Sequence, residues 1–218
     1  MARCPDPGAV QRASWLALPP EPWKNGGGVT RTLAADAAGR WRVSIADIDR
    51  DGPYSRFPGY DRVSVVLSGQ GVALRGEGVA VSLRPRVPAL FAGDEVLRSR
   101  LAGGPVRVLN LFVQRGLARA RVACLGAEGD ARVAGSLADA AGECIATRLV
   151  VAVEACRFRG APPGNEWELA AGEFALGPGD GDALDGPEGL SRSGAFLAAS
   201  MHGFAVSLDI AVQAPGLR

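Results

Sequence analysis

The residues with the clearest chemical potential sit in one short run, Trp23-Lys24-Asn25-Gly26-Gly27-Gly28, closed by Val29, Thr30 and Arg31. Lys24 is the only lysine of the chain, and every other basic residue is arginine. An ammonium is a compact point charge where a guanidinium is a planar fork, so a lysine retained here points to a site that wants the former. Three successive glycines permit a tight backbone path, and their amides can form a concave nest for an anion. With Lys24 and Arg31 supplying charge, a carboxylate is the natural guest. The plainer alternative is a glycine-rich turn with solvated charges, in which Trp23 plugs the core beside the turn. A phosphate-binding Walker loop is excluded, because the lysine precedes the glycines and no Gly-Lys-Ser/Thr ending follows.

Other polar residues fall where strands are expected. Asp47, Asp49 and Asp51 follow an apolar strand, and unbroken alternation would put Asp47 and Asp49 on the face of Trp41, Val43 and Ile45. Buried carboxylates require donors, which Arg31 or Arg62 can supply; a register change at the strand end would instead turn the acids to solvent. Asn110 lies in an otherwise apolar strand, either as a structural amide or as a pocket-lining donor and acceptor. Ser55, Phe57, Pro58, Gly59 and Tyr60 read as a rim loop carrying an aromatic lid. Metal chemistry of the imidazole-rich kind needs several histidines, and the chain has one, His202, which reads as a turn or packing residue. No metal and no cofactor are expected. Cys4, Cys124, Cys144 and Cys156 show no metal-type pairing and read as reduced, mostly buried thiols.

These residues must be positioned by strands. Period-two patterns dominate: Trp41, Val43 and Ile45 alternate with Arg42 and Ser44, Val63, Val65 and Leu67 repeat the pattern, and Phe204 to Val212 is the cleanest case. Val106 to Val113 is apolar on both faces apart from Arg107 and Asn110, as a central strand should be. Glycines punctuate the chain at short intervals, which favours a sandwich or barrel of short strands. One brief helix is expected near Ser136 to Ala141. The two halves echo one another, with Phe91-Ala92-Gly93-Asp94 answered by Pro178-Gly179-Asp180. A net charge of +1 and the absence of a basic run argue against a nucleic-acid partner, and Arg119 and Arg121 read as a solvated face. Met1 to Pro7 lacks an apolar stretch, so neither a secretory signal nor a membrane anchor is expected, and the cytoplasm is the expected location.

Pro22-Trp23-Lys24-Asn25-Gly26-Gly27-Gly28-Val29-Thr30-Arg31 resembles the opening signature of the HutD/Ves family. The resemblance continues in order through Trp41 to Ala46, Asp49, Asp51 to Ser55, Phe57 to Gly59, Asp61, Arg62, the Gly69 and Gly71 turn, Phe91, Gly93, Asp94 and Gly104 to Val106 with Asn110. It implies an all-β bicupin, two double-stranded β-helix (cupin-like) barrels in one chain, here expected at residues 15–115 and 116–218. Val108 stands where the family often has an aspartate, and Gln114 with Arg115 where it often has paired arginines. The function implied is a metal-free binding protein for a small carboxylate, urocanate or a formylated intermediate of histidine breakdown, acting as a monomer or homodimer. Its expected ligand contacts are Trp23, Lys24, Asn25, Gly27, Thr30, Arg31, Asp49, Ser55, Phe57, Arg62 and Asn110. The contrasting readings are a cofactor-free isomerase or hydrolase with Lys24 or Asp49 as general base, and a protein-interaction module using the arginine-rich second half.

Overall fold

The computed structural model describes residues 10–126, 133–134, 144–159, 166–179 and 199–213. The described residues open with β1 (Gln11–Ser14) and a 3-10 turn, Trp15–Ala17. Ten strands follow: β2 (Glu21–Pro22), β3 (Gly28–Ala35), β4 (Trp41–Ile48), β5 (Gly52–Tyr54), β6 (Tyr60–Ser68), β7 (Val72–Arg75), β8 (Ala80–Leu83), β9 (Ala89–Ala92), β10 (Leu97–Leu101) and β11 (Val106–Gln114). The remainder is β12 (Ala118–Leu125), β13 (Val133–Ala134), β14 (Cys144–Ala152), β15 (Cys156–Arg159), β16 (Glu166–Leu169), β17 (Glu173–Pro178), β18 (Ala199–His202) and β19 (Ala205–Gln213). The protein is all-β, as its alternating patterns require. Among the described residues no helix is long and apolar enough to cross a membrane. The helix expected at Ser136 to Ala141, Asp180, Cys4 and the side chain of His202 lie outside what is described.

Two compact units result. Leu18–Arg115 forms one, while the segment through Ala17 joins the chain from Gly116 onward in the other, through pairing of β1 with β17. The first unit has a six-stranded sheet in the order β2-β3-β4-β11-β6-β9 and a four-stranded sheet, β5-β10-β7-β8. Apolar residues from both sheets pack together, with Ala46, Ile48, Val66, Val106 and Val108 from the larger meeting Tyr54, Val72, Leu74 and Leu97 from the smaller. In the second unit the orders are β1-β17-β14-β19-β12-β13 and β16-β15-β18, with Val150, Ala152, Ala175 and Ala205 packed on Cys156, Phe158 and Leu169. As described, each sheet is open and has two edge strands.

The strand order repeats. β6 to β11 and β14 to β19 trace the same path, since β11 and β19 each lie beside the first strand of their series, and β8-β7-β10 corresponds to β16-β15-β18. The turn motifs that echo in the sequence follow the corresponding strands β9 and β17, which end at Ala92 and Pro178.

β11 is central, as its two-sided apolar pattern predicts: it pairs antiparallel with β4 on one side and β6 on the other. Its register sets two rows on one face of the sheet. Asn110 stands between Ser44 and Ser64, and Phe112 between Arg42 and Arg62. The β3–β4 hairpin that delivers Arg42 and Ser44 is closed by Asp36, whose carboxylate accepts the amides of Ala38 and Arg40 at 3.2 Å each. The same carboxylate takes Arg40 Nε at 2.8 Å and a terminal Arg40 nitrogen at 3.0 Å.

Those bonds to Arg40, assisted by the Ala38 amide and opposed by burial, hold the Asp36 carboxyl below its ordinary value of 3.8. A depressed carboxyl stabilises the fold above its unfolded pKa, and the contribution disappears as pH falls through the folded value. Asp36→Asn is therefore expected to cost about 1–2 kcal/mol at pH 7. In denaturant titrations the gap between the two proteins should narrow steadily below about pH 4; a gap independent of pH would refute the assignment.

A candidate anion pocket

Arg62 is the unusual residue of the first unit, with only 4% of its surface exposed. Its guanidinium carbon lies 4.4 Å from the ring centroid of Tyr54, 4.7 Å from Phe112, 5.1 Å from Phe91 and 5.2 Å from Phe57. One terminal nitrogen donates to the Ser55 carbonyl at 3.0 Å and the other to Asn110 Oδ1 at 3.2 Å. Its Nε is buried without a hydrogen-bond partner. A guanidinium has five N–H donors, so the fork retains unused donor capacity. No carboxylate pairs with Arg62 among the described residues. Burial pushes its pKa down; Tyr54 opposes the shift and the positive charge of Arg42 adds to it. Arginine stays charged under such shifts, so the guanidinium is a desolvated cation held by ring faces and neutral acceptors.

Arg42 shares those rings, its guanidinium carbon 4.9 Å from the centroid of Phe112 and 5.5 Å from that of Phe57. Two arginines thus flank the Phe112 position, and the register that aligns them is the same one that builds the sheet. Below them, Asn110 Oδ1 also accepts from Ser64 Oγ at 2.8 Å and from the Tyr54 hydroxyl at 3.3 Å. Asn110 is therefore both the structural amide and the pocket residue that its sequence position left open.

The cavity has two parts. An inner pocket of about 50 Å³ is lined by Trp23, Thr30, Arg42, Ser44, Ala46, Tyr54, Ser55, Phe57, Arg62, Asn110 and Phe112. That is room for about three or four water-sized groups, enough for a carboxylate. An outer cleft of about 420 Å³ shares Trp23, Thr30, Arg42, Tyr54, Ser55 and Phe57 and adds Glu21, Pro22, Lys24, Asn25 and Pro53. The inner lining contains two cations and no acid. Trp23, Tyr54, Phe57 and Phe112 supply ring surface beside neutral polar groups, so a flat apolar body fits beside the charged end.

The rim loop is pinned. Phe57 N–H donates to the Gly93 carbonyl at 2.7 Å and Gly93 N–H to the Tyr60 carbonyl at 2.8 Å. A Cβ at Gly93 would meet the Phe57 oxygen at 2.5 Å, so only glycine admits the contact. Asp94 receives the Gly59 amide at 3.0 Å and pairs with Arg115, which also holds Asp61 at 2.8 Å. Phe57 is thereby set with its ring centroid 4.3 Å from that of Phe112.

The lysine loop performs a different task from the nest its glycines suggested. Gly26 N–H donates to the Trp23 carbonyl at 2.9 Å, and Gly27 N–H to Asn25 Oδ1 at 2.9 Å. Those amides are consumed inside the turn. Gly26 has φ +64°, and a Cβ on Gly28 would overlap the Asp47 carbonyl oxygen, so these two glycines have conformational and steric reasons. Trp23 Nε1 donates to Thr30 Oγ1 at 2.8 Å, which fixes the indole at the pocket edge. Lys24 and Asn25 are exposed on the outer cleft.

Of the expected ligand residues, the structure brings Trp23, Thr30, Ser55, Phe57, Arg62 and Asn110 to the inner pocket, and Lys24 and Asn25 to the outer cleft. Gly27, Arg31 and Asp49 do not line either. Arg31 pairs with Asp47 at 2.9 Å, and Arg107 joins the same carboxylate at 2.6 Å; Asp49 is exposed beyond the end of β4. Arg42, Ser44, Tyr54 and Phe112 were missed as site residues. Their signal was present: Arg42 and Ser44 are the polar members of an alternating strand, and a polar face that looks solvated can equally line a cavity. Among the described residues no group of three or more His, Cys, Asp or Glu is arranged to hold a metal.

The fold and pocket define an all-β protein with a cavity whose inner pocket is lined by two arginines and no acid. A family model described as HutD matches residues 17–175, and the chain belongs to the HutD family. It is 38% identical over 112 residues to a 21.2 kDa protein in the hutC 3' region of Pseudomonas putida, and 36% identical over 111 residues to the protein Ves of Citrobacter koseri. Each match spans 48% of this chain and 58% of the relative, little more than half the length of those curated proteins. The structure of HutD from Pseudomonas fluorescens SBW25 in a formate condition is 26% identical with a TM-score of 0.65, covering 95% of this chain and 100% of that one.

Steric need at Gly28 and exposure at Lys24 predict opposite outcomes in one loop. Gly28→Ala should lower unfolding free energy by about 2–3 kcal/mol, because backbone rather than a flexible side chain must yield. Lys24→Ala should stay within about 0.5 kcal/mol of the parent. Equal costs in chemical denaturation would contradict this account of the loop.

Proposed function

We propose that this chain is a binding protein for a small carboxylate, whose anionic end enters the inner pocket against Arg62 and Arg42. The observation that carries the reading is the buried Arg62 guanidinium, which has unused donors and, among the described residues, no acidic partner. A carboxylate would supply acceptors and charge together, and in so dry a site a bidentate arginine contact is worth more than its surface equivalent. Trp23, Tyr54 and Phe57 would cover a planar body, and Lys24 and Asn25 would read polar groups that reach the outer cleft.

Family membership supports a role in histidine utilisation, in which urocanate or a formylated intermediate is the ligand and binding limits or reports its level. The P. putida relative is named for the hutC 3' region, and the P. fluorescens structure was obtained in a formate condition. The repeated strand order supports the bicupin reading, with each unit a cupin-like barrel. The inner lining holds no carboxylate, lysine or histidine to act as a base, so binding is preferred to catalysis. In this proposal recognition needs no metal, because arginines and neutral acceptors do the work.

Thermal-shift titrations with formate, acetate, urocanate and N-formylglutamate test the reading. At a hundredfold excess over Kd a true ligand adds about 2.7 kcal/mol of stability, a shift of several degrees in Tm. Arg62→Met and Arg42→Gln should each abolish most of that shift, whereas Lys24→Ala should keep at least half. Identical shifts in wild type and Arg62→Met, or chemical turnover of a responding acid, would overturn the proposal.

A further inference from the structure

The larger sheet of the second unit carries a charged row that mirrors the first in chemistry but not in balance. Asp209 on β19 is paired in register with Arg148 on β14 and with Arg121 on β12. Directly opposed residues on antiparallel strands project from the same face, so one carboxylate stands between two arginine positions. Arg148 Nε donates to Asp209 Oδ1, and their side chains are 10% and 15% exposed. In the first unit the corresponding central strand, β11, has Phe112 between Arg42 and Arg62, with the neutral Asn110 next along that face. Each unit thus places two arginines across its central strand, and only the second supplies an acid between them.

Arg121 is half-buried where a solvated face was predicted. Burying Arg148 demands a counter-charge, and the chain provides it at the strand that closes the unit.

We propose that the second unit contains a latent anion site that Asp209 fills from within, so that the chain takes its carboxylate ligand at the first unit alone. The statement about stoichiometry rests on the Arg42–Arg62 reading above; the latent site does not. Removing the carboxylate should leave a space of carboxylate size beside the Arg148 guanidinium that Asp209 pairs with and next to the Arg121 position, and an external carboxylate should restore what was lost.

The experiment uses the full chain carrying Arg62→Met, which silences the first pocket, with and without Asp209→Ala. Formate is the probe, with chloride at equal ionic strength as control. The Asp209→Ala chain should melt lower than its parent and recover at least half of the difference in formate, with little recovery in chloride. A charge-free replacement, Arg148→Met with Asp209→Leu, should fold and show no formate response. In an otherwise wild-type background, Asp209→Ala should bind two equivalents of a carboxylate where the parent binds one. Lack of formate-specific recovery overturns the latent site, as does an Asp209→Ala chain that stays unfolded at every formate concentration. If recovery is found but wild type binds no carboxylate, the latent site stands and the reading of the first pocket falls.

Discussion

A guanidinium buried among four aromatic rings, with neutral oxygen acceptors and no carboxylate among the described residues, is the constraint around which the first unit is arranged. Moving such a cation out of water costs several kcal/mol even after relaxation, and cation–π contacts with Tyr54, Phe57, Phe91 and Phe112 offset about 0.5–2 kcal/mol each. Asn110 contributes a carbonyl oxygen shared with Ser64 and Tyr54, which holds the fork without cancelling its charge. Had the strand carried an aspartate there, the pocket would be satisfied from inside and would have no reason to admit an anion. Neutral satisfaction keeps Arg62 both ordered and available.

Everything else follows from delivering Arg62 and Arg42 to that place. The antiparallel register of β4, β11 and β6 sets the two arginines on either side of Phe112, and a slip of one residue would turn both to the opposite face. Asp36 closes the hairpin that aligns β4. Gly28 lets β3 approach the Asp47 carbonyl, and Gly93 lets the Phe57 loop approach β6. The familiar glycine-lysine run therefore acts mainly through geometry, by fixing Trp23 against Thr30 at the mouth, while the charge that matters lies deeper.

Much of the fold was legible because it rests on patterns that alternation exposes. Val106 to Val113 announced a central strand, and Trp41 to Ile45 announced a strand with one apolar face. The candidate site was legible only where a residue type was out of place, as with Asn110 in an apolar strand. Arg42 and Ser44 were hidden by the same alternation that revealed their strand, since period two distinguishes faces but not water from cavity. Arg31 misled for a related reason: its neighbour Thr30 faces the pocket, so Arg31 must face away, and there it meets Asp47. The amide nest failed because turn closure consumes the amides of Gly26 and Gly27, a matter of local backbone conformation that composition does not carry.

The central claim is that Arg62 is retained at a cost to the unliganded fold. The direct measurement is the unfolding free energy of ligand-free wild type and Arg62→Met by denaturant titration in a buffer without carboxylates. The account predicts that the methionine protein is as stable as wild type or more stable by up to about 2 kcal/mol, since a flexible apolar side chain removes an uncompensated charge. A loss of more than about 2 kcal/mol would show that the guanidinium is already satisfied within the fold, and would contradict the claim that it waits for an anion.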